Sequence, residues 1–133
     1  MRKLNSIMLV DDDSITNFLN ELLIKEMEIT NELIVSSDGQ KALEELDNHY
    51  FQKGNSPDLI LLDVNMPVLN GFEFLKQFNE LEFENKRSSV IVMLTTSLNP
   101  VDKKKAEELN VKDYMSKPLT KKGLSDLINK YFV

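Results

Sequence analysis

Cysteine is absent from this 133-residue chain, and histidine occurs once, at His49. The missing thiols exclude a disulfide scaffold and any thiolate metal site, and a lone histidine cannot build a metal cluster. Long apolar runs are missing as well. The first, Ile7–Val10, follows Arg2 and Lys3 and is broken at once by Asp11, Asp12 and Asp13. It is too short for a signal peptide, and no stretch approaches the length of a membrane span. The expected compartment is the cytosol, without membrane insertion. Excess positive charge is lacking too: 16 Lys and Arg stand against 22 Asp and Glu, a net charge of -6. A broad nucleic-acid surface needs clustered cations, so no nucleic-acid partner is expected. The local runs Lys103–Lys105 and Lys121–Lys122 read as solvated helix faces. Internal repeats, low-complexity tracts and linkers are also absent.

What is present suits one compact domain over residues 1–133. The composition is 41% hydrophobic and 29% charged, enough apolar material for a core and too much for disorder. Apolar runs alternate with helical patterns five times. The strands are expected at Ile7–Val10, Glu32–Ser36, Leu59–Leu62, Val90–Leu94 and, weakly, Lys112–Met115. Ser14 can cap a helix to Met27 with Ile15, Phe18, Leu19, Leu22 and Leu23 on one face. Asp38 can cap a second helix carrying Ala42, Leu43 and Leu46, and the stretch Asn48–Pro57, with the loop formers Gly54, Asn55, Ser56 and Pro57, reads as a loop. Gly71 precedes a third helix, where it is expected to relieve a tight turn. Pro100 suits the first turn of a fourth, which runs to about Leu109. The last helix, from about Lys121, puts Leu124, Leu127, Ile128 and Tyr131 on one stripe. Strands separated by helices argue for a parallel sheet covered on both faces. His49, at a predicted helix end, reads as a surface residue, and the methionines read as core gap-fillers.

The chemistry stands at the strand ends, where open α/β sheets hold their functional crevice. Asp11, Asp12 and Asp13 follow the first strand and Asp63 the third. Thr95, Thr96 and Ser97 follow the fourth, and Lys117-Pro118 follows the fifth. Gathered carboxylates repel one another, and a hard divalent cation relieves that. A lysine ammonium and a threonine hydroxyl add a cation and a donor for phosphate oxygens. The set suits a phosphoryl group held on one carboxylate. Each element alone is a weak signal; their joint occurrence in order is a strong one.

These residues sit in the segments Ile7-Met8-Leu9-Val10-Asp11-Asp12-Asp13, Asp58-Leu59-Ile60-Leu61-Leu62-Asp63-Val64-Asn65-Met66-Pro67-Val68-Leu69-Asn70-Gly71, Val92-Met93-Leu94-Thr95-Thr96-Ser97 and Tyr114-Met115-Ser116-Lys117-Pro118. Together with Ser37-Asp38-Gly39-Gln40-Lys41-Ala42-Leu43, they resemble the receiver domain of two-component response regulators over nearly the whole chain. The resemblance implies a flavodoxin-like fold, a five-stranded parallel sheet in the order 2-1-3-4-5. It implies that Asp63 is the phosphoacceptor and that Mg²⁺ is held by Asp11, Asp12, Asp63 and the backbone carbonyl of Asn65. Thr95 and Lys117 would contact the phosphoryl group, and Tyr114 would be the aromatic that turns inward when Thr95 moves. Pro118 would follow a cis peptide bond. The donor would be a histidine kinase or a histidine phosphotransfer protein. The output would pass to a downstream protein of unknown identity through the fourth helix, fifth strand and last helix. No effector domain is expected to follow the last helix, and the chain is expected to signal rather than to act as an enzyme.

Asp13 departs from the usual acidic pair, and the resemblance gives it no role. A flavin-binding module of the same fold class would need a phosphate cradle where Asp11–Asp13 stand, and those acids would repel the phosphate. A phosphohydrolase working through an aspartyl phosphate would need a second acid near Asp63 where Asn65 stands. A degenerate receiver, used only for docking, would lack one of the acidic or phosphoryl-contacting residues, and none is missing.

Overall fold

The structure, a computed structural model, describes residues 3–54, 56–64, 70–81, 89–96 and 100–132. Five strands and five helices alternate along it: β1 (Leu4–Val10), α1 (Ser14–Met27), β2 (Thr30–Ser36), α2 (Gly39–Lys53), β3 (Leu59–Asp63), α3 (Gly71–Glu80), β4 (Val90–Thr95), α4 (Pro100–Glu108), β5 (Asp113–Ser116) and α5 (Lys121–Tyr131). The strands form one parallel sheet in the order β2-β1-β3-β4-β5. The strand expected at Glu32–Ser36 begins two residues earlier, at Thr30, and the one expected at Ile7–Val10 begins at Leu4.

Strand residues alternate between two cores, as the pleat requires. Met8, Val10, Ile60, Leu62, Ile91 and Met93 face one core with Leu46 of α2, Phe74 and Leu75 of α3 and Ala106 of α4. Ile7, Leu9, Leu59, Leu61, Val92 and Leu94 face the other with Ile24 of α1 and Leu124, Leu127 and Ile128 of α5. A sheet buried on both faces explains why its central strands read as unbroken apolar runs.

The structure corrects several sequence expectations. The N-cap of α1 is Asp13, not Ser14: its carboxylate accepts from the Ile15 N–H, one of the donors a helix start leaves orphaned, and also from the Thr16 hydroxyl. Most of the apolar stripe expected to bury α1 faces outward; of its members only Leu23 packs against the core. Ile15, Phe18, Leu19 and Leu22 are 51–69% exposed, while Asn17, Asn20 and Ile24 are buried. Finally, His49 is buried rather than superficial, and its Nε2 lies 3.0 Å from Glu32 Oε1 on β2. Asp38 caps α2 as expected, but the helix runs on to Lys53 through the first part of the loop expected at Asn48–Pro57, and Gly54 closes it with φ +75°, a left-handed conformation that glycine adopts without strain.

Candidate functional site

Four adjacent strands deliver their chemistry to one edge of the sheet. Asp11 and Asp12 directly follow β1, Asp63 and Thr95 are the last residues of β3 and β4, and Lys117 directly follows β5. The backbone fixes these ends to one another: the Lys117 N–H donates to the Thr95 carbonyl at 3.0 Å, and the Asp11 N–H donates to the Ser36 carbonyl at 3.2 Å. Lys117 Nζ then reaches across the sheet and donates to Asp11 Oδ2 at 2.9 Å and to Asp63 Oδ1 at 3.1 Å. Carboxylate oxygens of Asp11, Asp12 and Asp63 all lie within 4.8 Å of one another.

Asp11 and Asp63 are buried, whereas Asp12 is exposed. Burial pushes the Asp63 carboxyl above its usual range, and the neighbouring charge of Asp11 pushes it further, against the opposing effect of Lys117. Burial works against the Lys117 ammonium, but its hydrogen bonds to Asp11 and Asp63 outweigh this and raise its pKa. Three formal negative charges against one positive leave two unbalanced in a partly dry crevice. That is the deficit a divalent cation fills, and hard carboxylate oxygens are the donors Mg²⁺ prefers.

Gly71 shapes this crevice from below. A Cβ there would lie 2.7 Å from the Asp63 carbonyl oxygen and 3.0 Å from Val64 Cα. Close approach of α3 to the end of β3, not a tight turn, therefore requires glycine at this position. The Gly71 N–H donates to the Val64 carbonyl at 2.9 Å, and Asn70 caps the helix through the Glu73 N–H.

Of the other residues singled out from sequence, Thr95 is buried at the crevice. Tyr114 is half-buried on β5; its hydroxyl donates to the Lys103 carbonyl of α4 at 3.0 Å, and Lys103 Nζ stands 5.6 Å from its ring centroid. The Lys117-Pro118 peptide bond is cis. Asn65 and Ser97 lie outside the described residues. Lys103–Lys105 and Lys121–Lys122 are exposed helix positions. Sequence reasoning gives Asp13 no role, although the run Asp13-Ser14-Ile15-Thr16 carries a capping signal. It misses Asn17, for which no sequence signal exists. It also misses a largely apolar groove of about 430 Å³ beside the site, lined by Leu19 and Leu23 of α1 and by Thr96, Lys117, Pro118 and Leu119.

Comparison with known proteins agrees with this arrangement. Residues 7–129 match the response regulator receiver domain. The transcriptional regulatory protein CpxR of Escherichia coli is 39% identical over 122 residues, which span 91% of this chain but only 46% of CpxR. The chemotaxis protein CheY of Halobacterium salinarum is 30% identical over 125 residues and 92% of each chain. The crystal structure of a two-component response regulator from Cytophaga hutchinsonii is 38% identical, superposes with a TM-score of 0.84 and covers 98% of both chains. The chain belongs to the response-regulator receiver family. Its fold is that of the receiver module of two-component systems.

Proposed function

We propose that this chain is a response-regulator receiver that accepts a phosphoryl group on Asp63 and signals by changing the surface formed by α4, β5 and α5. The observation that carries the reading is Lys117 Nζ bridging Asp63 and Asp11, with Asp12 beside them, at the carboxyl edge of the sheet. In the transfer, an Asp63 carboxylate oxygen bonds to phosphorus as the bond from phosphorus to the donor's histidine nitrogen breaks. Lys117 is placed to leave its carboxylate partners and neutralise phosphoryl oxygens. Asp11, Asp12, Asp63 and the Asn65 carbonyl would hold Mg²⁺, which when bound supplies positive charge to the carboxylate and phosphoryl oxygens. Thr95 would donate its hydroxyl to the phosphoryl group, and Tyr114 would leave the Lys103 carbonyl and turn inward.

The donor is a histidine kinase or a histidine phosphotransfer protein in the cytoplasm. No described helix is long and apolar enough to cross a membrane. The exposed face of α1 supports a protein donor, because Leu19 carries its apolar surface into the groove that ends at Lys117. The downstream partner is a protein reached through the α4-β5-α5 surface. The chain acts once per phosphoryl group rather than turning over a substrate. Incubation with acetyl phosphate and Mg²⁺, followed by peptide mapping, is expected to place one acyl phosphate on Asp63. A label that persists in Asp63→Asn would overturn the assignment.

A further inference from the structure

We propose that Asn17 is a positioning residue for the metal-holding loop, acting through the backbone of Asp11. Its place is the first problem. Asn17 lies on the buried face of α1, 6% exposed, where helix packing calls for an apolar side chain. Its side chain is only half satisfied. Nδ2 donates to the Asp11 carbonyl at 2.7 Å and, at 3.4 Å, to the Ser36 carbonyl. Oδ1 is buried with no partner among the described residues. An orphaned acceptor is a standing cost that a leucine of similar size would avoid. Packing alone therefore gives no reason for the amide; the bond to Asp11 does.

That bond completes a clamp. The Ser36 carbonyl accepts from both Asn17 Nδ2 and the Asp11 N–H, so the first acidic residue is tied to the end of β2 directly through its N–H and, by way of Asn17, through its carbonyl. Its carboxylate is held as well: Oδ1 accepts from the Asp13 N–H at 3.0 Å, and Oδ2 accepts from Lys117. Asp13 in turn caps the helix that carries Asn17. The loop of acids is thus closed into a small ring by backbone and helix cap, with Asn17 as its inner strut. Groups that orient a ligating carboxylate typically change metal affinity tenfold or more when removed. Asn20, similarly buried about one turn further along, lines the groove instead, and among the described residues no hydrogen bond ties it to the loop.

The inference rests on the Mg²⁺ reading of the crevice, and the test separates the two. The intact chain is labelled with ¹⁵N and titrated with MgCl₂ while amide shifts are followed, for wild type, Asn17→Leu and Asn20→Leu. Mg²⁺ affinity in folded Asn17→Leu is expected to fall by about tenfold, with Asn20→Leu within about twofold of wild type. Independently of any variant, the Asn17 side-chain amide protons of wild type should exchange slowly with water and shift as Mg²⁺ binds. Wild type that ignores Mg²⁺ overturns the metal reading and this inference together. Wild type that binds Mg²⁺, with Asn17→Leu unchanged or with fast-exchanging, unshifted Asn17 side-chain protons, overturns this inference alone.

Discussion

Helices α1 and α5 lie on the same face of the sheet, and each carries an apolar stripe at helical spacing. The two stripes meet opposite fates. Leu124, Leu127 and Ile128 of α5 are buried against β3 and β4 neighbours in the core. Ile15, Phe18, Leu19 and Leu22 of α1 face outward, and the helix sits on the sheet through Ile24, the partly buried Leu23 and Met27, and two asparagines. The α1 seat is partly polar: Asn17 bonds the Asp11 carbonyl, Asp13 caps the first turn, and Lys121 of α5 reaches Glu26 at 2.7 Å. An apolar stripe marks a face for burial without saying against what. In α5 the partner is the molecule's own core; in α1 most of the stripe is exposed beside the acidic crevice, where under the proposed function a protein donor would dock.

The contrast is sharpest in paired truncations. Ile128→Ala, at a fully buried position, is expected to cost roughly 2–5 kcal/mol in urea unfolding. Phe18→Ala, 56% exposed, should stay within about 0.5 kcal/mol of wild type. Phe18→Ala should nevertheless slow phosphoryl transfer from a phosphorylated histidine protein by about tenfold, leaving transfer from acetyl phosphate unchanged. Equal losses of stability in the two variants, or equal slowing with both donors, would erase the distinction.

Gly71 tests how tightly the site itself is built. Its missing Cβ faces the backbone of Asp63 and Val64, which cannot swing aside as a side chain would. Gly71→Ala should cost about 1–3 kcal/mol and slow phosphorylation by acetyl phosphate. A variant of wild-type stability and rate would mean that α3 simply moves away.

Asp63→Asn probes the opposite side of the comparison, a place where function strains the fold. Asp63 is raised above the ordinary carboxylate range by burial and then by Asp11. A carboxyl raised on folding destabilises the native state while ionised, and the penalty fades as pH falls through its folded pKa. Without divalent cations at neutral pH, Asp63→Asn should therefore melt higher, by roughly 2–6 °C. Mg²⁺ should narrow the gap by stabilising wild type. A lower melting temperature would mean that Lys117 more than offsets the burial of Asp63 and the charge of Asp11.

The smallest effect concerns how α5 is tied to β5. Asp113 is partly buried, which alone would raise its pKa, yet the Tyr114 N–H, Lys130 and Tyr131 together hold it below the usual value. A depressed carboxyl stabilises the fold above its unfolded pKa, and this is lost as pH falls through the lower folded pKa. Asp113→Asn should thus lose less than about 1 kcal/mol at neutral pH, with the difference from wild type vanishing in acid. A difference that persists in strong acid would rule out titration of Asp113 as its source.

Much of this architecture is legible in the sequence. The sheet order and the five strand positions follow from apolar runs and family resemblance, because a doubly covered sheet leaves unbroken apolar strands. Asp11 and Asp63 are legible because each stands directly after such a run; Lys117, behind the weak fifth strand, is legible through its place in the Lys117-Pro118 motif. The orientation of α1 is not, since periodicity identifies a stripe and not its partner. Nor is Asn17, because one asparagine in a helix carries no pattern; only its bond to the Asp11 carbonyl gives it meaning. His49 reads as a surface residue because its burial depends on Glu32, 17 residues away on an edge strand. Gly71 stands out in the sequence for the wrong reason, because a close backbone approach depends on which strand end lies beneath the helix.

Hydrogen exchange on the Mg²⁺ and beryllofluoride form, against the free protein, is the most direct test of the phosphorylation switch. With the mimic on Asp63, residues 100–123 should change their exchange in wild type, as Tyr114 leaves the Lys103 carbonyl, and should change far less in Thr95→Ala. Wild type that binds the mimic yet leaves residues 100–123 unperturbed would contradict the switch.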